Sequence, residues 1–530
     1  MEDKNMKKIL NNILGIAAIA VALTSCTKNF EQIAQNRYGV SNEQMTQDGL
    51  ALSGMLQQLE RSVIIYRDGT YLDSDYQIMY NLCAETWVGY MAPTLSDGHN
   101  AGWDVNDGWH RRMFTVKYEY GMGGYNKFAQ SAQELGMTNE LALAKVLKVA
   151  TMHQVADYYG PIAYSHTGDL TNLYDPLDEV YKQFFQELDE SIETLEKVAA
   201  TGAKLLEDYD LVYGGDAAKW VQFANSLRLR LAMRVRYADA ALAQAEAEKS
   251  IASPFGVIES NSGNAVIAEA GVRHPLYTIN VEFNDADTQL GASLEVYLNG
   301  YNDPRKFLYG KPAADGNLHG VRAGIAPNSW TNYKNTAGKV SAPNAGIYKI
   351  CWMNAAEVAF LRAEGALVGW NMGGAAKDFY EQGIKLSFEE WGAEGFSAYV
   401  ANDTAVPAAF KDNVGRANAN APSTVTIAWN ERLSEEKKLE KIGTQKWLAL
   451  FPNSAEAWAE YRRLHYPVIL PPANNFSNGI VNTDQGIRRV PYPVSEQSDN
   501  LAGYNSGVEA LGGADNAGVR LWWDKKPFNN

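Results

Sequence analysis

Cysteine is scarce in this chain: three among 530 residues, at positions 26, 83 and 351. So few thiols cannot build the disulfide framework of a small secreted domain. Cys83 and Cys351 are expected to be buried free thiols, with a bridge between them in an oxidising compartment as the alternative. Histidine is sparse too, seven in all and scattered. The H-E-x-x-H pattern of zinc peptidases is missing, as are a G-x-S-x-G nucleophile elbow and a Walker A loop. The 62 acidic residues can always supply the two carboxylates of a glycosidase, so their spacing along the chain decides nothing. Lys and Arg number only 47, which leaves a net charge of −15. That surplus of negative charge argues against nucleic acid, which requires a basic footprint. No apolar run reaches the roughly 20 residues of a membrane-spanning helix.

What is present begins at the N-terminus. Lys4, Lys7 and Lys8 precede an apolar stretch from Ile13 to Leu23, and then come Thr24, Ser25 and Cys26. A basic start and a short apolar run fit a secretory signal. Two small residues followed at once by cysteine resemble the bacterial lipobox, where the peptide is cut before a thiol that carries a diacylglyceryl group. Residues 1–25 are therefore expected to be a lipoprotein signal peptide. Cys26 is expected to become the lipidated first residue, holding the protein to a membrane through its buried CH₂ groups. The mature chain of 505 residues then carries −16 and is expected to be soluble after its lipid.

The dominant pattern beyond that point is helical. Leu143, Val146, Leu147, Ala150 and Tyr158 share one face at a period of 3.6, and "YYGP" stops that helix. A second begins at Asp175-Pro176 with acidic residues in its first turn, as the helix dipole prefers. Trp220, Phe223, Ala224, Leu227, Leu231 and Val235 form a further stripe, and Arg228, Arg230, Arg234 and Arg236 are expected as flanking, ion-paired residues around it. Two more pairs follow: "NAAEVAFLRAEGALVGW" with "GGAAKDFYEQGIKLSFEEWG", then "EEKKLEKIGTQKWLALF" with "SAEAWAEYRRLHYP". In the former, Ala376 and Gly383 flank Tyr380 at a spacing that lets two helices approach closely. Trp220, Trp352 and Trp458 are expected in the core. Long stretches at 92–112, about 253–348, about 394–428 and 467 to the end are expected as loops, and loops of that length are usually functional.

Several of these segments together resemble the SusD/RagB nutrient-binding outer-membrane lipoproteins of Bacteroidetes. They are "CTKNFEQIAQNRYGVS", "VADYYGPIAYS", "YDPLDEVYKQFFQELDESI", "NDPR" at 302–305, "KIGTQKWLALF" and "RRVPYPVSEQSDN". "DLVYGGDAAKWVQFANSLRLRLAMRV" is the most specific of them. The resemblance spans essentially all of residues 26–530. It implies a mostly α fold, with four tetratricopeptide-like helix pairs as scaffold and long irregular loops carrying the ligand face. It further implies a non-catalytic protein at the cell surface, anchored in the outer membrane. The implied partner is a SusC-like TonB-dependent β-barrel, over which the lipoprotein sits as a lid that captures a glycan. Peptide cargo in the same lid role is the alternative, and a helical-repeat scaffold for other proteins is a third.

Sugar rings stack their C–H faces on Trp and Tyr, and their hydroxyls pair with amides and charged groups. On that ground Asn100, Trp103, Asn106 and Trp109 of the first long loop, with Trp330, Asn332 and Tyr333 of "NSWTNYKN", are the candidate ligand contacts. No cofactor is expected beyond the diacylglyceryl and palmitoyl lipid on Cys26. Calcium at "DGHNAGWDVNDG" is weighed against a solvated turn, and the turn is favoured because the spacing is not that of an EF-hand.

Overall fold

Four antiparallel helix pairs set the architecture, and each grows from a local signal. The computed structural model describes residues 50–66, 74–94, 99–169, 171–283, 287–326, 332–333 and 338–528. The leader, Cys26 and Trp330 lie outside them. Residues from Leu52 onward form one compact unit. The principal helices are α1 (Leu50–Val63), α2 (Asp107–Val116), α3 (Gly123–Leu135), α4 (Thr138–Tyr159), α5 (Leu177–Thr201), α6 (Ala217–Val235) and α7 (Ala240–Ala252). They continue with α8 (Ala292–Gly300), α9 (Ala355–Leu367), α10 (Ala376–Trp391), α11 (Glu435–Leu450), α12 (Ser454–Leu464) and α13 (Leu501–Leu511). The pairs are α4 with α5, α6 with α7, α9 with α10, and α11 with α12. Packing of α5 on α6 and of α9 on α11 joins them into one scaffold.

The pairs start where a side chain can satisfy the free N–H groups of a first turn. The Asp216 carboxylate accepts from Ala218 and Lys219 at the start of α6, Asp239 from Leu242 at α7, Asn354 from Glu357 at α9, and Ser434 from Lys437 at α11. Pro176 precedes α5, and Asp178 and Glu179 sit in its first turn. In the α9–α10 pair the close approach is at Gly383. A Cβ there would fall 2.7 Å from the Phe360 ring, so any larger residue drives the helices apart. Trp220, Trp352 and Trp458 are all buried. Cys83 is buried, Cys351 partly so, and both are free.

The irregular stretches hold more structure than their composition suggests. Within 92–112, β1 (Met91–Pro93) pairs antiparallel with β3 (Thr288–Leu290), Met91 opposite Leu290, and α2 begins at Asp107. Within 253–348 lie α8 and β2 (Ala265–Val266), which pairs with β4 (Cys351–Met353). The C-terminal stretch contains α13, capped by Asn500. These elements are short and stand among Gly and Asn residues, which hides their periodicity.

The arginines of α6 correct the expectation of a flanking position. Arg228, Arg230 and Arg234 are buried, because α6 is covered on all sides by α5, α7, α9 and α12. Arg234 reaches Asp157 of α4 and Glu456 of α12 at 2.6 Å each, and Glu460 at 3.3 Å. Arg230 forks onto Glu357 of α9 through two bonds of 2.7 Å. Arg463 of α12 binds Glu364 of α9 and its own Glu460 at 2.6 Å, and Lys446 of α11 meets Glu460 at 2.8 Å. Five helices thus share one buried ionic network. Burial alone would raise the Glu460 carboxyl, but the cations of Arg463 and Lys446 outweigh it and hold the group well below its usual range.

Two outcomes are expected. Arg234→Met leaves Asp157, Glu456 and Glu460 buried against one another, and should cost about 3–5 kcal/mol in urea unfolding; an unchanged midpoint would contradict the account. Glu460 and Glu364 are both depressed by their cations. Their contribution to stability is therefore present above the unfolded value of about 4.3 and lost as pH falls below it. Thermal melts at pH 7 and pH 3 should show that loss.

Candidate ligand-binding site

At the C-terminal end of α12 the helical order gives way to a cavity of about 350 Å³. Such a volume lies within the range of small-molecule sites. His465 turns the chain out of α12 at a φ of 62°, and the following residues, 466–472, run along one wall. Gly89, Met91 and Gly291–Ser293, where β1 meets β3, make a second wall; Val321–Ala323 a third; Thr483–Arg488 a fourth. Hydrogen bonds fasten these segments to one another. Leu470 N–H donates to Ser293 Oγ at 3.0 Å, and the Tyr297 hydroxyl to the Val468 carbonyl at 2.9 Å. Ala473 N–H donates to Ala323 O and Phe476 N–H to Gly102 O, at 2.7 Å each.

The interior combines aromatic faces with polar groups. Trp103, Tyr461, Tyr466 and Phe528 supply the faces, and Arg322, Asp484 and Gln485 stand among the polar residues. Gly486, at a φ of 72°, keeps a side chain out of the space beside Tyr461 and Trp103. Phe528 stacks on His465 with centroids 4.0 Å apart. Burial pushes the His465 imidazole down, favouring its neutral form. Asp524 is paired with Arg488 at 2.6 Å, and Lys526 with Glu436 at 2.6 Å.

The residues singled out in the sequence fall into three groups. Trp103 lines the cavity and is 8% exposed. Asn100 is fully buried: its amide donates to Cys83 Sγ, its Oδ1 accepts the Asn106 N–H at 2.9 Å, and its carbonyl accepts the Trp87 indole at 3.0 Å. Tyr333 is buried in a small cluster with Ala92 and Val321, and its hydroxyl donates to Asp412 at 2.6 Å. Because Val321 also lines the cavity, that cluster brings the second predicted stretch next to the wall that faces Trp103. Asn106 and Trp109 are half-buried at the start of α2, and Asn332 is exposed. Trp330 lies outside the described residues, as do residues 95–98 of the Asp- and Asn-rich stretch. Among the described residues, no group of three or more His, Cys, Asp or Glu could hold a metal ion.

Sequence reasoning missed Tyr461, Tyr466, Arg322 and Phe528. The signal for the first two was "EYRRLHYP", aromatic residues bracketing a helix end before Pro467. Both belong to a helical pair and its exit and not to a long loop, so a search for aromatics in loops does not reach them.

A helical scaffold with a half-open, aromatic-lined cavity is the build of a binding protein. The comparisons with known proteins agree. The SusD-like family, described as Susd and RagB outer membrane lipoprotein, matches residues 32–524, and the chain belongs to that family. Among solved structures, a chitin-binding SusD homologue from Flavobacterium johnsoniae is 37% identical, with a TM-score of 0.85 over 89% of this chain and 98% of that one. A SusD homologue from Bacteroides uniformis is 38% identical, with a TM-score of 0.84 over 90% and 99%. One from Bacteroides thetaiotaomicron is 36% identical, with a TM-score of 0.80 over 90% and 99%. No curated protein matches the chain. The family's description is that of outer membrane lipoproteins. Among the described residues, no helix is long and apolar enough to cross a membrane.

One prediction concerns the wall that carries Val321. Glu295 of α8 accepts the Gly320 N–H at 2.6 Å, and burial pushes its carboxyl up to about 8. The folded state therefore favours the protonated form. Its contribution is full below the unfolded value of about 4.3 and lost as pH climbs from there. Glu295→Gln should flatten the fall in urea midpoint between pH 5 and pH 8.5. An equally steep fall in the variant would assign it to other groups.

Proposed function

We propose that this protein captures an oligosaccharide at the cell surface and delivers it to a SusC-like TonB-dependent barrel in the outer membrane. The lipid on Cys26 would tether it there. The observation that carries the reading is the cavity whose aromatic walls, Trp103, Tyr461 and Tyr466, stand beside Arg322, Asp484 and Gln485. Flat rings accept the C–H face of a pyranose, and amide and charged groups take its hydroxyls. Similarity to a chitin-binding relative over nearly the whole of that chain supports a glycan as the class of ligand.

In this reading the candidate residues divide their work. Trp103 is the stacking platform inside the cavity. Trp109, Asn106 and Asn332, which do not line the cavity, and Trp330, which lies outside the described residues, are assigned as further contacts for a longer ligand. Asn100 and Tyr333 hold the two loops in place through bonds made inside the protein. No catalytic step is assigned, because the protein's task is to hold and release its ligand unchanged. Weak contacts suit that task, since a lid that binds too tightly cannot hand its cargo on.

The test is a calorimetric screen of the protein against chitin oligosaccharides, plant polysaccharide fragments, host glycans and mixed peptides. Saturable glycan binding is expected, and Trp103→Ala should weaken it about five- to tenfold, the loss of about 1 kcal/mol of ring contact. Peptide binding without any glycan signal would overturn the choice of cargo.

A further inference from the structure

The cavity contains a cation that the fold does not neutralise. Arg322 is half-buried in its wall. Its Nε donates to the Pro471 carbonyl at 3.0 Å, and its Nη1 to the carbonyls of Asn418 at 3.0 Å and Ala417 at 3.3 Å. Three carbonyls from two separate segments thus hold the guanidinium through Nε and Nη1, on two edges of its plane. Among the described residues, the other amino group, Nη2, has no hydrogen-bond partner and no carboxylate lies within ion-pair distance of the side chain. Among the buried arginines of the scaffold, Arg228, Arg230, Arg234, Arg305, Arg463, Arg488 and Arg489 each meet an Asp or Glu. Arg462 alone is held only by carbonyls, but it is sealed in the interior against the Trp458 and Trp523 rings and does not line the cavity. The other cations at the cavity wall are paired as well, Arg488 with Asp524 and Lys526 with Glu436. Asp484 is an exposed carboxylate at the rim and makes no ion pair with Arg322.

A half-desolvated guanidinium without a counter-charge is an incomplete ion pair. Burial pushes its pKa down, with no neighbouring acid to oppose the shift. Its backbone clamp keeps it from swinging out to water, so its orientation is fixed before any ligand arrives. A carboxylate on the ligand would complete it with a charge-assisted hydrogen bond, roughly twice as strong as a neutral one. A sugar hydroxyl can accept from Nη2 too, but it brings no charge to complete the ion pair. Trp103 and Tyr466 belong to the same cavity and offer faces for the ring that bears the carboxylate.

We propose that the cavity selects an oligosaccharide bearing a carboxylate, a uronic acid, with Arg322 Nη2 as its end-on anion partner and Trp103 as its ring platform. This rests on the glycan-capture reading above and narrows it.

The test uses matched probes. Oligogalacturonate, oligomannuronate and hyaluronan fragments are each titrated into the protein beside their methyl-esterified forms, with chitotriose and a glutamate tetrapeptide as further probes. At least one acid should bind about tenfold or more tightly than its ester. That preference should weaken with added salt. Arg322→Gln should abolish that preference, bringing acid and ester to the same affinity, and Arg322→Lys should restore part of it. The comparison of acid with ester on the unaltered protein stands even if a variant fails to fold. Equal binding of acid and ester, or a preference that survives Arg322→Gln, overturns the assignment. Chitotriose binding with no uronate bound overturns the uronate inference and leaves glycan capture standing. Binding of the peptide alone, or of no probe, overturns both.

Discussion

The salt bridge between Arg234 and Glu456 lies at the point where the helix pairs meet, and the rest of the molecule is arranged around it. Arg234 is fully buried, and its guanidinium is filled by Asp157, Glu456 and Glu460 from two helices. Ion pairs of this kind do not repay their desolvation by much, but removing one partner is costly. They therefore act as a register. Helices α4, α6, α9, α11 and α12 can associate in only one way that leaves no carboxylate or guanidinium stranded. Apolar packing alone would tolerate a shift of one turn along such helices; a shared network of fixed forks does not.

That register matters because the cavity begins where α12 ends. Its position follows from the turn at His465, and its walls come from segments nearly 400 residues apart in sequence, from Gly89 to Arg488. Hydrogen bonds tie the first three walls to one another, so those walls are held in place before a ligand enters. Preorganisation of this kind reduces the ordering cost of binding. It suits a protein whose contacts are individually weak and whose cargo must later leave.

Much of the scaffold was legible in the sequence, and the reasons are local. The stripe on α6, the stop at Gly160, Pro176 ahead of α5 and the small residue at Gly383 each act within a few turns of chain, and each does in the structure what its chemistry requires. Trp220, Trp352 and Trp458 read as core for the same reason. The arginines of α6 are ion-paired as expected, but Arg228, Arg230 and Arg234 are buried and not flanking. Periodicity shows which residues share a face, but not that the opposite face is covered by another helix. The site was legible only in part. Trp103 stood out as an aromatic in a loop, and it does line the cavity. Tyr461 and Tyr466 sit on a helix end, and Arg322 has no motif around it. What marks Arg322 is the absence of an acid nearby in space, which no linear pattern records. The helices α2, α8 and α13 were concealed by the Gly and Asn that surround them.

The account stands most directly on where a bound sugar lies. A crystal structure of the protein with the oligosaccharide that binds it most tightly would locate the ligand. The account predicts a sugar ring stacked on Trp103 inside the cavity at the end of α12, with a polar substituent at Arg322. A ring bound elsewhere on the surface, with the cavity empty, would contradict it.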